Sequence, residues 1–347
     1  LEGHFITWGG QWSLWNPNTE GTVLNDGPNR PPIAVNEVGV YLQYENEMVD
    51  KLRMTAIGRY DYNEAFGEQF SPKVGLSYTA GNHNFRITYN KAYQNPDLTN
   101  GFLNVTVAST DVIFGSGNRP TVNRGAADGF TIVDSLGNVV GSWPKIRPTT
   151  NVTYEIGYRG TFVDKILLDV TLFSKTEKNF IRGGLPVNNP LQGRYIVDEN
   201  GKPRNEVTLS FTNFAQARLQ GIEVGVEYFL SGQLSLWSSY AYQEYGKFEG
   251  IPAAVTKSYD NNLPKSKWRV GGRYKDWWRK GISVEISGRH VDAFYFYVGT
   301  PAYLNGDVSS YTVFDVDTQV PIDFVGLRGT RLGISVKNLF DTRHIEF

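Results

Sequence analysis

The chain has 347 residues and a formal net charge of −1, from 34 Lys and Arg against 35 Asp and Glu. This balance argues against a nucleic-acid-binding protein, which needs a basic surface. Mean hydropathy is −0.35, and no stretch approaches the roughly 18 consecutive apolar residues of a membrane-spanning helix. The chain has no Cys, as in an exported protein that needs no disulfide.

Strand-like segments follow one another along the whole chain. Apolar residues alternate with charged or small ones in 152–159, 222–228, 267–275 and 331–337. Side chains of a β-strand point to opposite faces with a period of two, so each segment has one apolar face and one polar face. The sequence predicts about thirteen strands, at 3–15, 36–47, 52–63, 70–80, 83–92, 151–162, 165–180, 207–229, 233–246, 264–275, 281–298, 311–321 and 329–340.

The connections between these strands alternate between short and long. Tight joints are predicted near 49–51, 80–82, 162–165, 230–232, 276–280 and 322–326. Longer connections are predicted at 16–35, 63–70, 93–151, 180–206, 246–264 and 299–310. In an up-and-down meander, alternate connections lie at opposite ends of the sheet, so one rim is expected to be trimmed and the other elaborated. This asymmetry is typical of an outer-membrane barrel, with short periplasmic turns and long extracellular loops.

The strand pattern and the low hydropathy together favour an antiparallel transmembrane β-barrel. Only helices and closed barrels satisfy every backbone polar group within lipid. The 8 Trp, 20 Tyr and 20 Phe include many near strand ends, as in the interfacial aromatic girdles of such barrels. A soluble antiparallel sheet with one wet face shows the same alternation. That alternative stays open, although it gives no reason for short turns at one end only.

The alternation also predicts which side chains face lipid and which face the lumen. Apolar residues are expected to face lipid, among them Ile156, Val224, Val226, Val270 and Val336. The charged residues of the other face are expected to line a hydrated lumen rather than to act in chemistry; they are Arg53, Arg59, Arg86, Glu155, Arg159, Glu223, Glu227, Arg269, Arg273, Glu285, Arg289 and Arg331.

Four short motifs, in a fixed order, resemble the barrel of TonB-dependent receptors of Bacteroidota type. Phe70–Tyr78 is similar to that family's Ser-Pro strand, and Phe85–Leu98 to the next strand, which ends in aromatic-x-x-Pro-x-Leu. Thr212–Glu223 resembles its Gly-x-Glu strand. Val336–Arg343, with Asn338-Leu339-Phe340-Asp341, resembles its near-terminal NLFD strand. Each motif alone is weak, but their order and spacing cover most of the chain.

The resemblance implies a 22-stranded barrel whose lumen is plugged by an N-terminal domain. By that alignment, residues 1–347 are expected to be a partial barrel domain, roughly strands nine to twenty-one, without the plug, the early strands or the last strand. The implied protein lies in the outer membrane and imports a scarce, large nutrient: a metal chelate, a cofactor, a glycan or a peptide. The implied partners are outer-membrane lipid, a TonB-type energy-coupling complex acting through the plug region, the ligand and a surface lipoprotein; nucleic acid is not among them.

Two inserted hairpins are predicted in the long connections, at 130–140 and 195–202. Both fall in connections predicted to be extracellular, and long loops on a rigid scaffold often carry binding function. The candidate ligand-binding residues are those that stand where a strand or an inserted hairpin meets a long loop: Tyr93, Trp143, Arg182 and Tyr195.

The sequence contains no constellation that predicts catalysis, a metal site or a cofactor. The four His lie far apart, without ligand spacing, and the Gly-rich pieces at 115–117 and 183–184 follow no strand–helix unit that would make a phosphate loop. The chain is therefore not expected to be an enzyme. Besides energy-coupled uptake, two functions remain alternatives: a passive outer-membrane porin and a soluble carbohydrate-binding β-protein.

Overall fold

The computed structural model describes residues 3–24, 26, 32–102, 105–106, 121–122, 130–188, 193–196, 203, 208–246, 248–249, 263–278, 280–296, 306–323 and 329–345. In chain order the elements are β1 (His4–Trp15), β2 (Val35–Val49), β3 (Leu52–Asn63), β4 (Gly67–Ala80), β5 (His83–Gln94), α1 (Leu98–Phe102), β6 (Val105–Thr106), β7 (Thr121–Val122), β8 (Phe130–Val133), β9 (Val139–Trp143), β10 (Thr149–Phe162), β11 (Ile166–Asn188), β12 (Tyr195–Ile196), β13 (Thr208–Phe229), β14 (Leu234–Tyr245), β15 (Ser266–Trp277), β16 (Ile282–Val291), β17 (Phe294–Phe296), β18 (Gly306–Val308), β19 (Tyr311–Pro321) and β20 (Arg331–Val336).

Thirteen strands form one continuous antiparallel path, in the order β1-β2-β3-β4-β5-β10-β11-β13-β14-β15-β16-β19-β20. Each strand pairs with the next long strand along the chain, so the sheet is the predicted up-and-down meander. The remaining strands lie within the long connections: β8, β9 and β12 form a small sheet of their own, and β17 pairs with β18. No helix in the described part of the chain is long and apolar enough to cross a membrane.

The tight joints are confirmed between β2 and β3, β4 and β5, β10 and β11, and β13 and β14. At the β10–β11 joint, Val163 and Asp164 have φ angles of 50° and 54°. Two successive residues in this left-handed conformation match the right-handed twist of the flanking strands. The joints predicted at 276–280 and 322–326 lie partly outside the described residues.

The predicted long connection at 63–70 is wrong. Strand β4 begins at Gly67, so only residues 64–66 separate it from β3. The Asn63 side chain makes this turn, because its Oδ1 accepts the backbone N–H groups of Ala65 at 3.0 Å and Phe66 at 3.1 Å. An Asx turn of this kind reverses the chain within a few residues. The composition of the segment, with its Gly and Glu residues, does not indicate so short a turn.

Two predicted strands are also shorter than expected. The segment 281–298 divides at Asp292 into β16 and β17, and β17 leaves the main sheet to pair with β18. The NLFD segment is a turn rather than a strand, because Asn338 and Asp341 both have a φ of 52°. The Asn338 side chain closes this turn by donating to the Thr342 carbonyl at 3.0 Å and accepting its amide at 2.9 Å.

The strand register confirms the predicted division into an apolar and a polar face. One row of directly paired residues crosses eight strands and runs Asn46, Met54, Leu76, Ile87, Ile156, Leu172, Ile222 and Tyr242. The charged residues predicted for the lumen all occupy the alternate positions. A groove on that polar face is lined jointly by Arg86 of β5, Glu223 of β13 and Arg289 of β16. Because these strands are not neighbours, the polar face is the concave one.

Candidate functional site

A polar network occupies the concave face at the rim where β2 and β5 adjoin long connections and β3 ends. The Asp61 carboxylate, only 1% exposed, accepts two hydrogen bonds from Arg59, from Nε at 2.8 Å and from a terminal nitrogen at 2.6 Å. The Tyr93 side chain lies near enough to the same carboxylate to interact with it electrostatically. Bidentate pairing with a guanidinium is a strong, directional contact, so Asp61 fixes the arginine beside Tyr93.

The local sequence explains why this network forms. Arg59 and Asp61 are two residues apart in β3, so both side chains lie on the concave face. Gly39 of β2 stands directly opposite Asp61. A Cβ atom at position 39 would overlap the Asp61 carboxylate and approach the Arg59 guanidinium to 2.6 Å. Because Gly39 has no side chain, the Arg59–Asp61 ion pair has room to lie against β2.

Next to this network is a groove of about 680 Å³, which we call the rim groove; it is lined among others by Trp15, Glu37, Lys73, Tyr93 and Asn95. The Glu37 carboxylate accepts the Trp15 indole N–H at 3.3 Å and the Asn95 amide at 3.2 Å. The Asn95 Oδ1 atom is buried without a hydrogen-bond partner among the described residues. Aromatic rings with a few convergent polar groups are typical of a small-molecule site.

The long connections pack against this end of the sheet. Leu24, Ile33 and Val35 form a buried cluster, against which Leu98 and Phe102 of the following connection pack. A second cluster joins Phe66 to Ile146, which is 1% exposed. Leu98 and Phe102 lie at the start of the connection between β5 and β10, and Ile146 lies at its end. Burial of these apolar side chains therefore anchors both ends of this connection to the rim.

Two separate long connections are joined by the small sheet of β12, β8 and β9, which we call the loop sheet. Strand β12 comes from the connection after β11, whereas β8 and β9 form the predicted hairpin of the connection after β5. Tyr195 pairs with Val133 and Ile196 pairs with Ile132. Ile132, Val133 and Ile196 are 2%, 3% and 2% exposed. The two connections thus share a buried contact and cannot move independently while it is intact.

The four candidate ligand residues lie in different parts of this rim. Tyr93 is in the polar network; the backbones of Trp143 and Tyr195 lie in the loop sheet, in β9 and β12. Arg182 lies in the extension of β11, paired with Thr212 just before a register shift. The side chains of Trp143 and Arg182 lie outside the described part, so their role in binding stays a prediction. Of the hairpin predicted at 195–202, residues 195 and 196 pair with β8, and residues 197–202 lie outside the described part of the chain.

A disulfide between β8 and β12 should form readily. Val133→Cys with Tyr195→Cys places the thiols at directly paired positions, where the Cα–Cα separation of an antiparallel pair falls within the disulfide range. We expect near-complete cross-linking on mild oxidation, read as a mobility shift that reductant reverses. The native chain has no Cys to compete.

The matched control for this cross-link is Val139→Cys with Tyr195→Cys. Val139 lies on β9, on the far side of β8, roughly two strand spacings or about 10 Å from β12. It should give little intramolecular disulfide. Equal cross-linking of both pairs would show that the loop sheet does not hold its register.

A second groove, of about 730 Å³, lies on the concave face further along the sheet; we call it the wall groove. Arg86 donates to the Thr171 hydroxyl at 2.6 Å and to Asp169 at 3.3 Å, while Lys267, Arg269 and Arg289 line the opposite side. Four of the predicted lumenal charges, Arg86, Glu223, Arg269 and Arg289, therefore line one shared space on the concave face. Within the described residues, no group of three or more His, Asp or Glu side chains is placed to hold a metal ion.

The prediction from sequence missed Asp61, Glu37 and Asn95. Their signal was present, since Glu37 and Asp61 occupy the polar alternate positions of β2 and β3. What the sequence does not give is the register that sets Asp61 beside Gly39, and the path of the chain beyond β5 that brings Asn95 onto Glu37.

Comparison with known proteins agrees with this architecture. Residues 2–339 match the family model described as TonB dependent receptor-like, beta-barrel. The ferrichrome outer membrane transporter/phage receptor of Escherichia coli (strain K12) is 23% identical over 330 residues, covering 92% of this chain and 36% of that protein.

Solved structures show the same fold. A mutant of the ferric enterobactin receptor PfeA from Pseudomonas aeruginosa superposes with a TM-score of 0.70 and 16% identity, covering 99% of this chain and 46% of that one. The siderophore receptor PirA from Acinetobacter baumannii gives a TM-score of 0.66 and 15% identity, covering 97% and 48%. The chain spans less than half the length of each of these relatives. It belongs to the TonB-dependent receptor family of outer-membrane proteins, and its thirteen-stranded sheet is part of that family's β-barrel.

Proposed function

We propose that the protein of which this chain forms the barrel wall imports a large, scarce ligand across the outer membrane by energy-coupled transport. The observation that carries this proposal is the match of residues 2–339 to the receptor barrel model. The hydrated concave wall supports it, because a transported polar ligand needs a polar path through the barrel. The family match argues against a passive porin, which has a barrel but belongs to other families. The apolar outer face argues against a soluble carbohydrate-binding protein, whose outer face would contact water.

Among possible ligands, we propose a ferric siderophore as the first class to test. The relatives described above are named for ferrichrome, ferric enterobactin and siderophores. A glycan, a peptide and a cobalamin-like cofactor are the further classes to include, because residues of the rim do not by themselves require iron.

We propose that the ligand is first held at the elaborated rim. The rim groove offers Trp15 and Tyr93 as apolar contact surfaces and Lys73 as a cation. Trp143 and Tyr195 of the loop sheet, together with Arg182 of β11, are the further proposed ligand contacts. Aromatic rings provide large contact area, and Arg provides bidentate recognition of carboxylate or phosphate.

The proposed assembly follows from the family. The thirteen strands would be a contiguous part, roughly strands nine to twenty-one, of a larger barrel. A plug region would close the lumen and connect to a TonB-type energy complex, with outer-membrane lipid around the barrel and a surface lipoprotein as a further partner. The coverage of less than half of each relative supports this arrangement.

Uptake by cells tests the proposal. The full-length protein should be expressed in a strain lacking its other siderophore receptors and offered a panel of radioiron-labelled ferric siderophores, with labelled cobalamin and oligosaccharides as further arms. We expect at least one ligand to accumulate against its gradient, and accumulation to stop when the proton-motive force is collapsed. Uptake that persists after collapse would identify a passive porin instead.

A further inference from the structure

Three successive tight turns carry large apolar side chains at their tips, and we call them the apolar turns. Val163 lies in the β10–β11 turn, Leu230 in the β13–β14 turn and Trp278 in the β15–β16 turn. Val163 is 86% exposed and Trp278 is 75% exposed. Two other turns of the same rim are polar at the tip, with Asp-Lys at 50–51 and Gly-Asn at 81–82. The apolar tips are therefore a property of one side of this rim.

The backbone of the apolar turns does not favour these residues. Val163 has a φ of 50° and Trp278 a φ of 55°, in the left-handed region, where the Cβ of a β-branched or bulky residue crowds the backbone. Two-residue hairpin turns of this kind prefer Asn-Gly. In the turn between β4 and β5, Gly81 takes the same conformation, with a φ of 59°, at no steric cost. Turn geometry therefore does not explain an apolar residue at these tips.

The apolar outer face of the sheet continues down to the tips. The outward-facing positions of β10 within 152–162 hold no charged residue. They span about 25 Å across the membrane at about 3.3 Å per residue and a strand tilt of about 40°, which is the height of the apolar band of such barrels. Val163 follows this band directly. In the next hairpin, Tyr228 pairs with Leu236 on the outer face, two positions before Leu230.

In the third turn, a β-bulge directs aromatic rings from the outer face to the tip. The register shift between Tyr274 and Trp277 places both rings on the outer face, since bulges re-aim side chains. The ring centres of Tyr274 and Trp277 are 5.8 Å apart, and those of Trp277 and Trp278 are 5.6 Å apart, both edge-to-face. Lys280 follows at the end of the turn. Trp with a neighbouring Lys is typical of the boundary between lipid and water.

We propose that the apolar turns insert into the periplasmic leaflet of the outer membrane, with their tips at the boundary between acyl chains and head groups. The partner is lipid, because the tips continue the surface of the barrel that already faces lipid. Removing the apolar side chains of Val163, Leu230 and Trp278 from water favours insertion. This gain offsets the unfavourable backbone conformation of the first and third. The polar turns at 50–51 and 81–82 remain in water.

A fluorescent probe at single turn positions tests this placement. Val163→Cys and Leu230→Cys are introduced into the full-length protein without other reactive Cys, labelled with NBD and placed in lipid nanodiscs, where both membrane surfaces are accessible. The matched control is Asn82→Cys, at a polar tip of the same rim. Quenching by iodide, which stays in water, should be about threefold weaker at 163 and 230 than at 82, because the head-group boundary shields a probe. Spin-labelled lipid should quench the first two probes and spare the third.

The two quenchers separate lipid from the other possible covers of these tips. Equal iodide quenching at all three positions would place the apolar tips in water, available to a periplasmic protein, and would overturn the proposal. Protection from both iodide and spin-labelled lipid would show that the full-length protein covers its own tips, which also overturns it. Heat-modifiable gel mobility confirms folding of each variant, and Trp278→Cys replaces either test position that does not fold.

Discussion

Replacing Ile156 with Arg is expected to destabilise the folded barrel in lipid bilayers by about 2–4 kcal/mol, the cost of a lipid-facing arginine near the bilayer midplane. Ile156 is 58% exposed and lies between Ile87 and Leu172 in the apolar row. A guanidinium there would have no polar partner in the hydrocarbon. The measurement is reversible unfolding of the full-length protein in urea, from liposomes, followed by tryptophan fluorescence.

Thr88→Arg is the control for this substitution. Thr88 lies on the neighbouring strand at nearly the same depth, but on the concave face, where its hydroxyl donates to Glu155 at 3.0 Å. An arginine at this position would face water and stand opposite a carboxylate, so we expect a change below about 1 kcal/mol. Similar losses for both variants would contradict the assignment of the two faces.

Much of the sheet is predictable from the sequence because a strand's own periodicity determines it. The segments around Ile156 and Val270 alternate strictly, and both strands are present with the predicted faces. Strand order follows from the tight joints. A reversal as short as that at Val163 and Asp164 brings the two flanking strands side by side, so they pair with each other.

The failures have a common physical origin in side-chain contacts that propensity does not report. The sequence of the NLFD segment predicts a strand, but the two hydrogen bonds between Asn338 and Thr342 stabilise a turn there. Asn63 similarly shortens a connection that looks long. The pairing of Tyr195 with Val133, which lies more than sixty positions earlier in the chain, was not predicted. No local pattern gives such a pairing.

The candidate site was predictable only in outline. The place where Tyr93 leaves its strand was correctly expected to meet a long connection. The partner of Tyr93, Asp61, was not, because both its burial and its contact with Arg59 depend on the gap above Gly39.

Excision of the β8–β9 hairpin is expected to weaken ligand binding at least tenfold while leaving the barrel folded. Phe130 and Trp143 are directly paired, so residues 131–142 can be replaced by Asn-Gly, a two-residue turn that suits adjacent antiparallel positions. The change removes the partner of β12 without touching the buried Ile146 contact. The ligand to use is the ferric siderophore that gives uptake, and the measurement is its Kd for the purified full-length variant.

A pair of single substitutions separates loss of the contact from loss of chain. Ile132→Asp would place a charge at a position that is 2% exposed and opposite Ile196, so it should detach β12 and weaken binding nearly as much as the excision. Thr131→Asp, at the adjacent exposed position, should leave binding unchanged. If the excision and Ile132→Asp both bind as tightly as the unmodified protein, the loop sheet covers the barrel without contributing to ligand binding. If Ile132→Asp alone binds normally, the contact between the two connections is dispensable and the hairpin itself touches the ligand.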